Sequence, residues 1–205
     1  MKKILLGAFV TLALGAFSSV ALIQSGALDF AADAPHSETV TGLITWAREQ
    51  SIRRAAADLV PPSDLSDPDR VRRGAGNYEA MCAQCHLVPG VSNSELRQGL
   101  YPAPPNLLEV ANAANADARR FWIIKHGIKA SGMPAWSKSG MEDGPIWDLV
   151  AFVKVLPGLS PEAYKSQVAA SDGHHHDAPT EHTPLADVKP KSANVDAHKG
   201  HTHKH

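Results

Sequence analysis

The sequence predicts an all-α protein, and three observations support this. Several segments carry apolar residues at helical spacing, and proline, glycine or capping side chains bound them. No segment alternates apolar and polar residues as a half-buried strand would. Composition also changes sharply at both ends of the chain. The 205 residues therefore accommodate one helical domain, an apolar N-terminal helix and a low-complexity C-terminal tail.

The N-terminal segment predicts a membrane anchor. Residues 4–23 carry no charged side chain and follow Lys2 and Lys3. At about 1.5 Å per residue such a helix can cross a bilayer core of roughly 30 Å. The two lysines favour the cytoplasmic side, so the rest of the chain is expected across the membrane. We therefore expect residues 1–23 to be an uncleaved transmembrane helix, with a signal peptide cleaved after Ala21 or Ala27 as the alternative.

Residues 24–66 are predicted to form a polar tether followed by an amphipathic helix. From Val40 to Val60 most apolar side chains fall on one helical face, and Pro61 and Pro62 end the pattern. Two roles remain open for this helix. It lies on the membrane surface as a stalk, or it packs on the following domain as an ordinary amphipathic helix.

The domain itself is predicted at residues 67–165. Asp67 is a good N-cap for a helix that runs into the two cysteines of the chain. Asp117 is expected to cap a second helix, which Gly127 ends. A third, apolar helix is expected at 146–156. Between the first and second helices lies a long stretch rich in proline, glycine and asparagine, which is unusual in a compact domain unless it wraps around something.

The two cysteines, Cys82 and Cys85, are three residues apart, and His86 follows at once. A redox dithiol usually lies in βαβ surroundings, which the sequence lacks. A structural zinc site needs a second pair of ligands, and outside the tail only His36 and His126 are other histidines. The remaining interpretation is covalent haem attachment, for which Cys-x-x-Cys-His is the signature. The order of these residues favours haem.

Haem iron in an electron carrier takes a second axial ligand, and a thioether raises its reduction potential. Of the four methionines, Met1 begins the anchor and Met81 directly precedes the first cysteine. Met133 and Met141 remain, and Met133 is favoured because glycine and proline flank it in a loop. His126 is the alternative, which would give a site with two histidines.

These motifs resemble those of class I c-type cytochromes, in particular the membrane-anchored bacterial monohaem proteins, over residues 67–157. The resemblance implies one haem c attached to Cys82 and Cys85, with His86 and Met133 as the axial ligands of the iron. It also implies the class I cytochrome c fold, in which the first and last helices of the domain pack closely. "GAGNYEAM" supplies Gly74 and Tyr78 for that contact, and "WDLVAFVKVLP" supplies Leu149 and Phe152.

The same resemblance extends to the surroundings of the haem. "PPNL" is similar to the proline-containing loop of the family, in which a proline carbonyl accepts a hydrogen bond from the proximal histidine. That role falls to Pro105, opposite the ring of His86. Trp122, Trp136 and Tyr101 are expected to pack against the haem.

The expected function is the transfer of single electrons between periplasmic or membrane redox partners. The formal net charge of −1 argues against nucleic acid as a partner. The expected location is the bacterial inner membrane with the haem domain in the periplasm, or the periplasm itself if the signal is cleaved. We expect an electron carrier and not an enzyme. Three alternatives are left open: a subunit of a larger oxidase or dehydrogenase, a haem-linked metal-handling protein, and a haem enzyme or gas sensor in which Met133 dissociates.

The C-terminal residues 166–205 are predicted to be a disordered tail, because from Ser171 onward they contain almost no large apolar side chain. The tail is dense in histidine, and neutral imidazole is a ligand that copper, nickel and zinc favour. The candidate ligands for Cu, Zn or Ni are His174, His175, His176, His182, His198, His201, His203 and His205. The alternative is a solvated tail without a metal.

Overall fold

The computed structural model describes residues 1–110 and 116–177. It confirms the predicted all-α class, since no strand occurs among these residues. Short 3₁₀ turns at Trp136–Ser139 and Leu156–Gly158 complete the regular structure. The α-helices are, in chain order, α1 (Lys2–Gln24), α2 (Glu38–Ala55), α3 (Pro68–Met81), α4 (Ala83–His86), α5 (Glu95–Gln98), α6 (Ala116–His126), α7 (Asp143–Val155) and α8 (Pro161–Ala169).

Helix α1 is apolar, 23 residues long, and none of its residues is buried within the protein. In the described part of the chain it is the one helix with the length and composition to cross a membrane. A helix that exposes apolar side chains all round is not stable in water, so α1 needs lipid or another apolar surface around it. This fits the predicted anchor.

Helix α2 packs on the domain through its C-terminal half. Ile52 is only 2% exposed, and the Glu49 carboxylate accepts two hydrogen bonds from Arg119 of α6, at 2.9 and 2.7 Å. Its N-terminal half leaves Leu43 and Trp46 more than half exposed. The helix ends at Ala55, earlier than the sequence pattern indicated. The packed half agrees with an ordinary amphipathic helix on the domain, and a position of the exposed half on the membrane surface stays a prediction.

The core of the domain forms where α3 crosses α7. The helices meet at Gly74, where an added Cβ would lie 2.0 Å from the carbonyl oxygen of Asp148. The Tyr78 and Phe152 rings pack at this crossing with their centroids 5.3 Å apart, and Leu149 is fully buried beside them. This is the close contact of first and last helices that the resemblance implied.

A buried ion pair reinforces the same crossing, and the sequence analysis missed it. The Asp148 side chain is 2% exposed. One carboxylate oxygen lies 2.8 Å from Arg70 Nη1, and the other lies 2.7 Å from Arg73 Nε. Both arginines belong to α3, so the carboxylate of α7 is held by two charge-assisted hydrogen-bonding partners. An aspartate inside an otherwise apolar helix was the signal available in the sequence.

Replacing Asp148 by alanine is expected to destabilise the domain by about 3 kcal/mol, since it removes the buried carboxylate that two partly buried arginines share. Arg73 then loses its counter-ion, and Arg70 keeps only the more exposed Asp64. Denaturant unfolding of the haem-loaded protein measures this loss. The matched control is Asp172→Ala, because Asp172 is 62% exposed and pairs with Arg72 at the surface. That change should cost less than about 1 kcal/mol. Equal losses for the two variants would contradict the role given to Asp148.

Three predicted boundaries are corrected. Helix α6 already includes Ala116, so Asp117 lies in its first turn and is not the residue before it. Helix α7 begins at Asp143, three residues earlier than expected, because Pro145 fits the first turn of a helix. Helix α8 continues past the predicted domain end at 165, and the chain stays packed on the domain to His176.

Candidate functional site

The two cysteines and the adjacent histidine lie on one short turn. Cys82 ends α3, and α4 follows immediately with Cys85 and His86. The His86 amide donates to the Cys82 carbonyl at 2.8 Å, which closes the turn. Both thiols are free, Cys82 being buried and Cys85 partly buried. The turn therefore presents two thiols and an imidazole from one rigid segment.

The Cys82 thiol is not poised for thiol–disulfide chemistry. Burial, with a smaller effect from Cys85, raises its pKa to about 12. An attacking thiol needs a substantial thiolate fraction near neutral pH. A thiol with a pKa of about 12 is almost entirely protonated there. The environment of Cys82 thus argues against the redox-dithiol interpretation. Its buried, apolar surroundings suit a covalently attached apolar group.

The His86 ring is fixed by the proline-containing loop. Its Nδ1 lies 2.9 Å from the carbonyl oxygen of Pro105. A carbonyl only accepts, so Nδ1 carries the proton and Nε2 keeps its lone pair. Burial lowers the pKa of His86, the positive charge of Arg97 lowers it further, and the bond to Pro105 opposes them. A neutral imidazole with a free Nε2 is the form that binds a metal.

Further contacts fasten this loop to the cysteine turn. The Leu107 amide donates to the His86 carbonyl at 3.4 Å, and Arg97 Nε donates to the Pro104 carbonyl at 3.1 Å. Ser94 Oγ donates to the Gln84 carbonyl. The sequence analysis missed Arg97, for which the chain offered no local pattern. Together these bonds hold the Pro105 carbonyl in place opposite the imidazole.

On the other side of the turn, Tyr78 anchors the backbone. Its fully buried hydroxyl donates to the Leu87 carbonyl at 2.6 Å. Leu87 has a φ of +69°, a left-handed conformation that few residues other than glycine adopt without cost. Tyr78 thus has two roles: its ring packs at the crossing of α3 and α7, and its hydroxyl fixes the backbone directly after His86.

Met133 lies in a loop that packs against the C-terminal end of α6. Gly127, with φ +67°, terminates α6, and an added Cβ there would lie 2.7 Å from the Met133 carbonyl oxygen. That carbonyl accepts from the Ile128 amide at 3.1 Å. Met133 and Trp136 are partly buried against the hydrophobic cluster that contains Cys82. By contrast, Met141 is itself a core residue, 3% exposed.

The other predicted site residues lie around the N-terminal segment. The Tyr101 hydroxyl accepts a hydrogen bond from the His36 amide at 3.0 Å, so it contacts the tether. Trp122 packs on His126 with ring centroids 5.0 Å apart. Trp122 lines a groove between α2 and the loop after α6, and Pro102, the neighbour of Tyr101, lines it as well. The packing of Tyr101 and Trp122 against a haem stays a prediction.

Of the histidines in the tail, the structure describes three, His174, His175 and His176. The predicted ligands His182, His198, His201, His203 and His205 lie outside the described residues. Within the described ranges no group of three or more His, Cys, Asp or Glu side chains is arranged to hold a metal ion. A complete copper, zinc or nickel site is therefore not formed by these residues alone.

Comparison with known proteins decides what this arrangement is. Residues 69–153 match the family model described as cytochrome C oxidase, cbb3-type, subunit III. The chain contains a class I cytochrome c domain. The matched segment covers the helix crossing, the cysteine turn and the Met133 loop. No curated protein and no solved structure matched the chain.

A class I cytochrome c domain carries covalently attached haem c, and the residues present fit that group. Two free thiols stand on the turn that ends in His86. The hydrogen bond to Pro105 leaves His86 Nε2 available as a ligand. Apolar and sulfur-bearing side chains, Met133 and Trp136 among them, pack around the same cluster. This donor set matches thioether attachment and axial ligation of a haem iron.

Proposed function

We propose that this protein is a monohaem electron carrier of the periplasmic side of a bacterial inner membrane. The observation that carries the proposal is the neutral, oriented His86 beside two free thiols in a cytochrome c domain. Haem c, when bound, supplies an iron that alternates between the ferrous and ferric states. All other roles belong to side chains of this chain.

Cys82 and Cys85 would hold the haem covalently, and His86 Nε2 would be a ligand of its iron. The Pro105 carbonyl keeps the proton on Nδ1 and fixes the ring plane, which increases the basicity of the ligand. Met133 would be the second ligand of the iron, from a loop that Gly127 and Ile128 hold in place. A thioether in this position favours the reduced form and so a high potential.

A carrier differs from a haem enzyme because it leaves no open position for a substrate. Two observations support a firmly held Met133: its carbonyl accepts a hydrogen bond from the Ile128 amide, and its own amide donates to Ser131 Oγ at 3.2 Å. His126 is the weaker candidate for this role. It is exposed, and it packs on Trp122 in the groove beside α2.

The membrane location rests on α1. All of its 23 residues are exposed in the folded chain, and its first two, Lys2 and Lys3, precede the uncharged run 4–23. We propose that α1 anchors the protein and that the domain lies on the side opposite the lysines. Helix α2, packed on the domain by Ile52 and Glu49, then holds the domain close to the membrane surface.

A second candidate is an electron-transfer subunit of a terminal oxidase, and the matched family favours it. Both candidates require the same one-electron chemistry from the domain. They differ in whether the protein copurifies with a larger complex. Gentle detergent extraction followed by native electrophoresis with haem staining separates them: a band at the size of the single chain supports the carrier.

A potentiometric titration of the purified full-length protein tests the proposal. We expect one wave that fits a one-electron process, with a clearly positive midpoint potential, and one haem that stays attached on denaturation. The Cys82→Ser, Cys85→Ser double variant should lose the attached haem. A strongly negative potential would remove Met133 from the proposal, and the absence of attached haem would overturn it altogether.

A further inference from the structure

After α8 the chain turns back and fastens itself to the cytochrome domain. Asp172 pairs with Arg72 of α3 at 2.8 Å. The His175 amide donates to the buried Asn77 Oδ1 at 2.9 Å, and the Glu142 amide donates to the His176 carbonyl at 3.0 Å. These bonds reach α3 at two positions and the residue that precedes α7. The first histidines of the tail are therefore held at a fixed place.

Glycine makes this close approach feasible. A Cβ at position 76 of α3 would lie 2.4 Å from the Gly173 carbonyl oxygen. Gly173 itself has a φ of +84°, which turns the chain toward the domain just before the three histidines. The tail segment and α3 thus fit each other without space for a side chain between them.

Within this segment two imidazoles converge. His174 Nε2 and His176 Nε2 are 3.0 Å apart, and the rings are perpendicular with centroids separated by 4.8 Å. His176 Nδ1 lies 2.8 Å from the Ser139 carbonyl oxygen. Since a carbonyl only accepts, Nδ1 carries the proton, and the lone pair of His176 Nε2 points toward His174.

We propose that His174 and His176 form a docked binding site for a divalent first-row transition metal, with Cu²⁺ the preferred ion. The Ser139 carbonyl orients His176 as a backbone carbonyl orients many metal-binding histidines. Without metal, His174 Nε2–H donates to His176 Nε2. When the metal enters, the proton of His174 moves to its Nδ1, and both Nε2 atoms become ligands.

The spacing of the two nitrogens is compatible with one metal ion, and the general affinity order of divalent metals favours copper. With metal–nitrogen bonds of roughly 2.0 Å, neighbouring ligands are about 2.8 Å apart in a square-planar site and about 3.3 Å apart in a tetrahedral one. The observed 3.0 Å is the hydrogen-bond length of the metal-free pair, and it lies between the two values, so both nitrogens can reach one ion after a small movement. Tetragonal coordination is typical of Cu²⁺ and Ni²⁺, and copper is the more tightly bound of the two. Water completes the coordination.

The site rests on the segment that follows the Met133 loop. Ser139 belongs to the 3₁₀ turn Trp136–Ser139, and the Met141 amide donates to the Trp136 carbonyl at 3.2 Å. A metal at the His174–His176 pair would therefore cross-link the tail to this turn and to α3. It should stabilise the folded domain, whereas a metal on a free run of histidines would not.

The test uses the oxidised, haem-loaded full chain, in which His182, His198, His201, His203 and His205 are all replaced by glutamine. Calorimetric titration with Cu²⁺ should show one equivalent bound, and the thermal unfolding midpoint of the domain should rise. His174→Gln or His176→Gln should weaken binding at least about ten-fold and abolish the rise. His175→Gln is the matched control and should change the affinity less than about three-fold.

Two results would overturn the site. One is the absence of stoichiometric Cu²⁺ binding in the protein that keeps only the first three tail histidines. The other is that all three single variants weaken Cu²⁺ binding equally and that Cu²⁺ does not raise the thermal unfolding midpoint of the domain. That result would indicate binding by a flexible run of histidines. Both outcomes leave the proposed electron transfer untouched, because the potentiometric titration is performed without copper.

Discussion

Replacing Met133 by leucine is expected to lower the midpoint potential of the haem domain by a sizeable part of the roughly 0.8 V that axial ligands control. The thioether stabilises ferrous iron, and leucine has no donor atom to replace it. Leucine nearly conserves the volume of methionine, so the fold should lose less than about 1.5 kcal/mol. Potentiometric titration of the purified variant measures the shift.

Met141→Leu is the matched control. Met141 is the nearest other methionine in sequence, but it is 3% exposed within the core and serves packing alone. Its replacement should leave the potential unchanged. The assignment of Met133 would fail if the two variants had the same potential, or if only Met141→Leu shifted it. His126→Gln, which removes the alternative ligand, should also leave the potential where it is.

Gly74→Ala is expected to destabilise the domain by about 3 kcal/mol or more, or to prevent it from folding. The added methyl group would lie 2.0 Å from the Asp148 carbonyl oxygen and 2.8 Å from Phe152 Cβ. Backbone cannot rotate away as a flexible side chain can, so α3 and α7 would have to separate and loosen the core. The yield of haem-loaded protein and its denaturant midpoint report this effect.

Gly158→Ala provides the control in the same domain, because a Cβ at that position meets no atom within 4 Å. Its denaturant midpoint should stay within the range of ordinary surface changes, about 0.5 kcal/mol. If Gly74→Ala were equally tolerated, the close crossing of the two helices would not be what organises the domain.

Much of the fold and of the site was predictable because the relevant signals are local. Asp67 caps α3 and Gly127 ends α6 with a positive φ, as their residue types indicate. Cys82, Cys85 and His86 lie on one turn because they fall within one short run of sequence, residues 82–86. The contact between Pro105 and His86 spans 19 residues, and only the family resemblance predicted it.

The remaining features depend on which elements meet in space. Nothing local in the sequence pairs Asp148 with Arg70 and Arg73, which lie more than 70 residues earlier. Tyr101 was expected near the haem, and the structure shows it in contact with the tether at His36. Composition likewise predicted that the tail from residue 166 onward lies outside the domain. In the structure, however, Asp172 pairs with Arg72 and the His175 amide donates to Asn77, so the first part of the tail is attached to the domain.

The proposed function depends most on one point: side chains of the protein occupy both remaining coordination positions of the haem iron, as an electron carrier requires. The most direct test is the exposure of the reduced full-length protein to carbon monoxide at neutral pH, followed by absorption spectroscopy. We predict no binding for the wild type and stoichiometric binding for Met133→Leu under the same conditions. Stoichiometric binding by the wild type would contradict the account and would instead indicate a haem enzyme or a gas sensor.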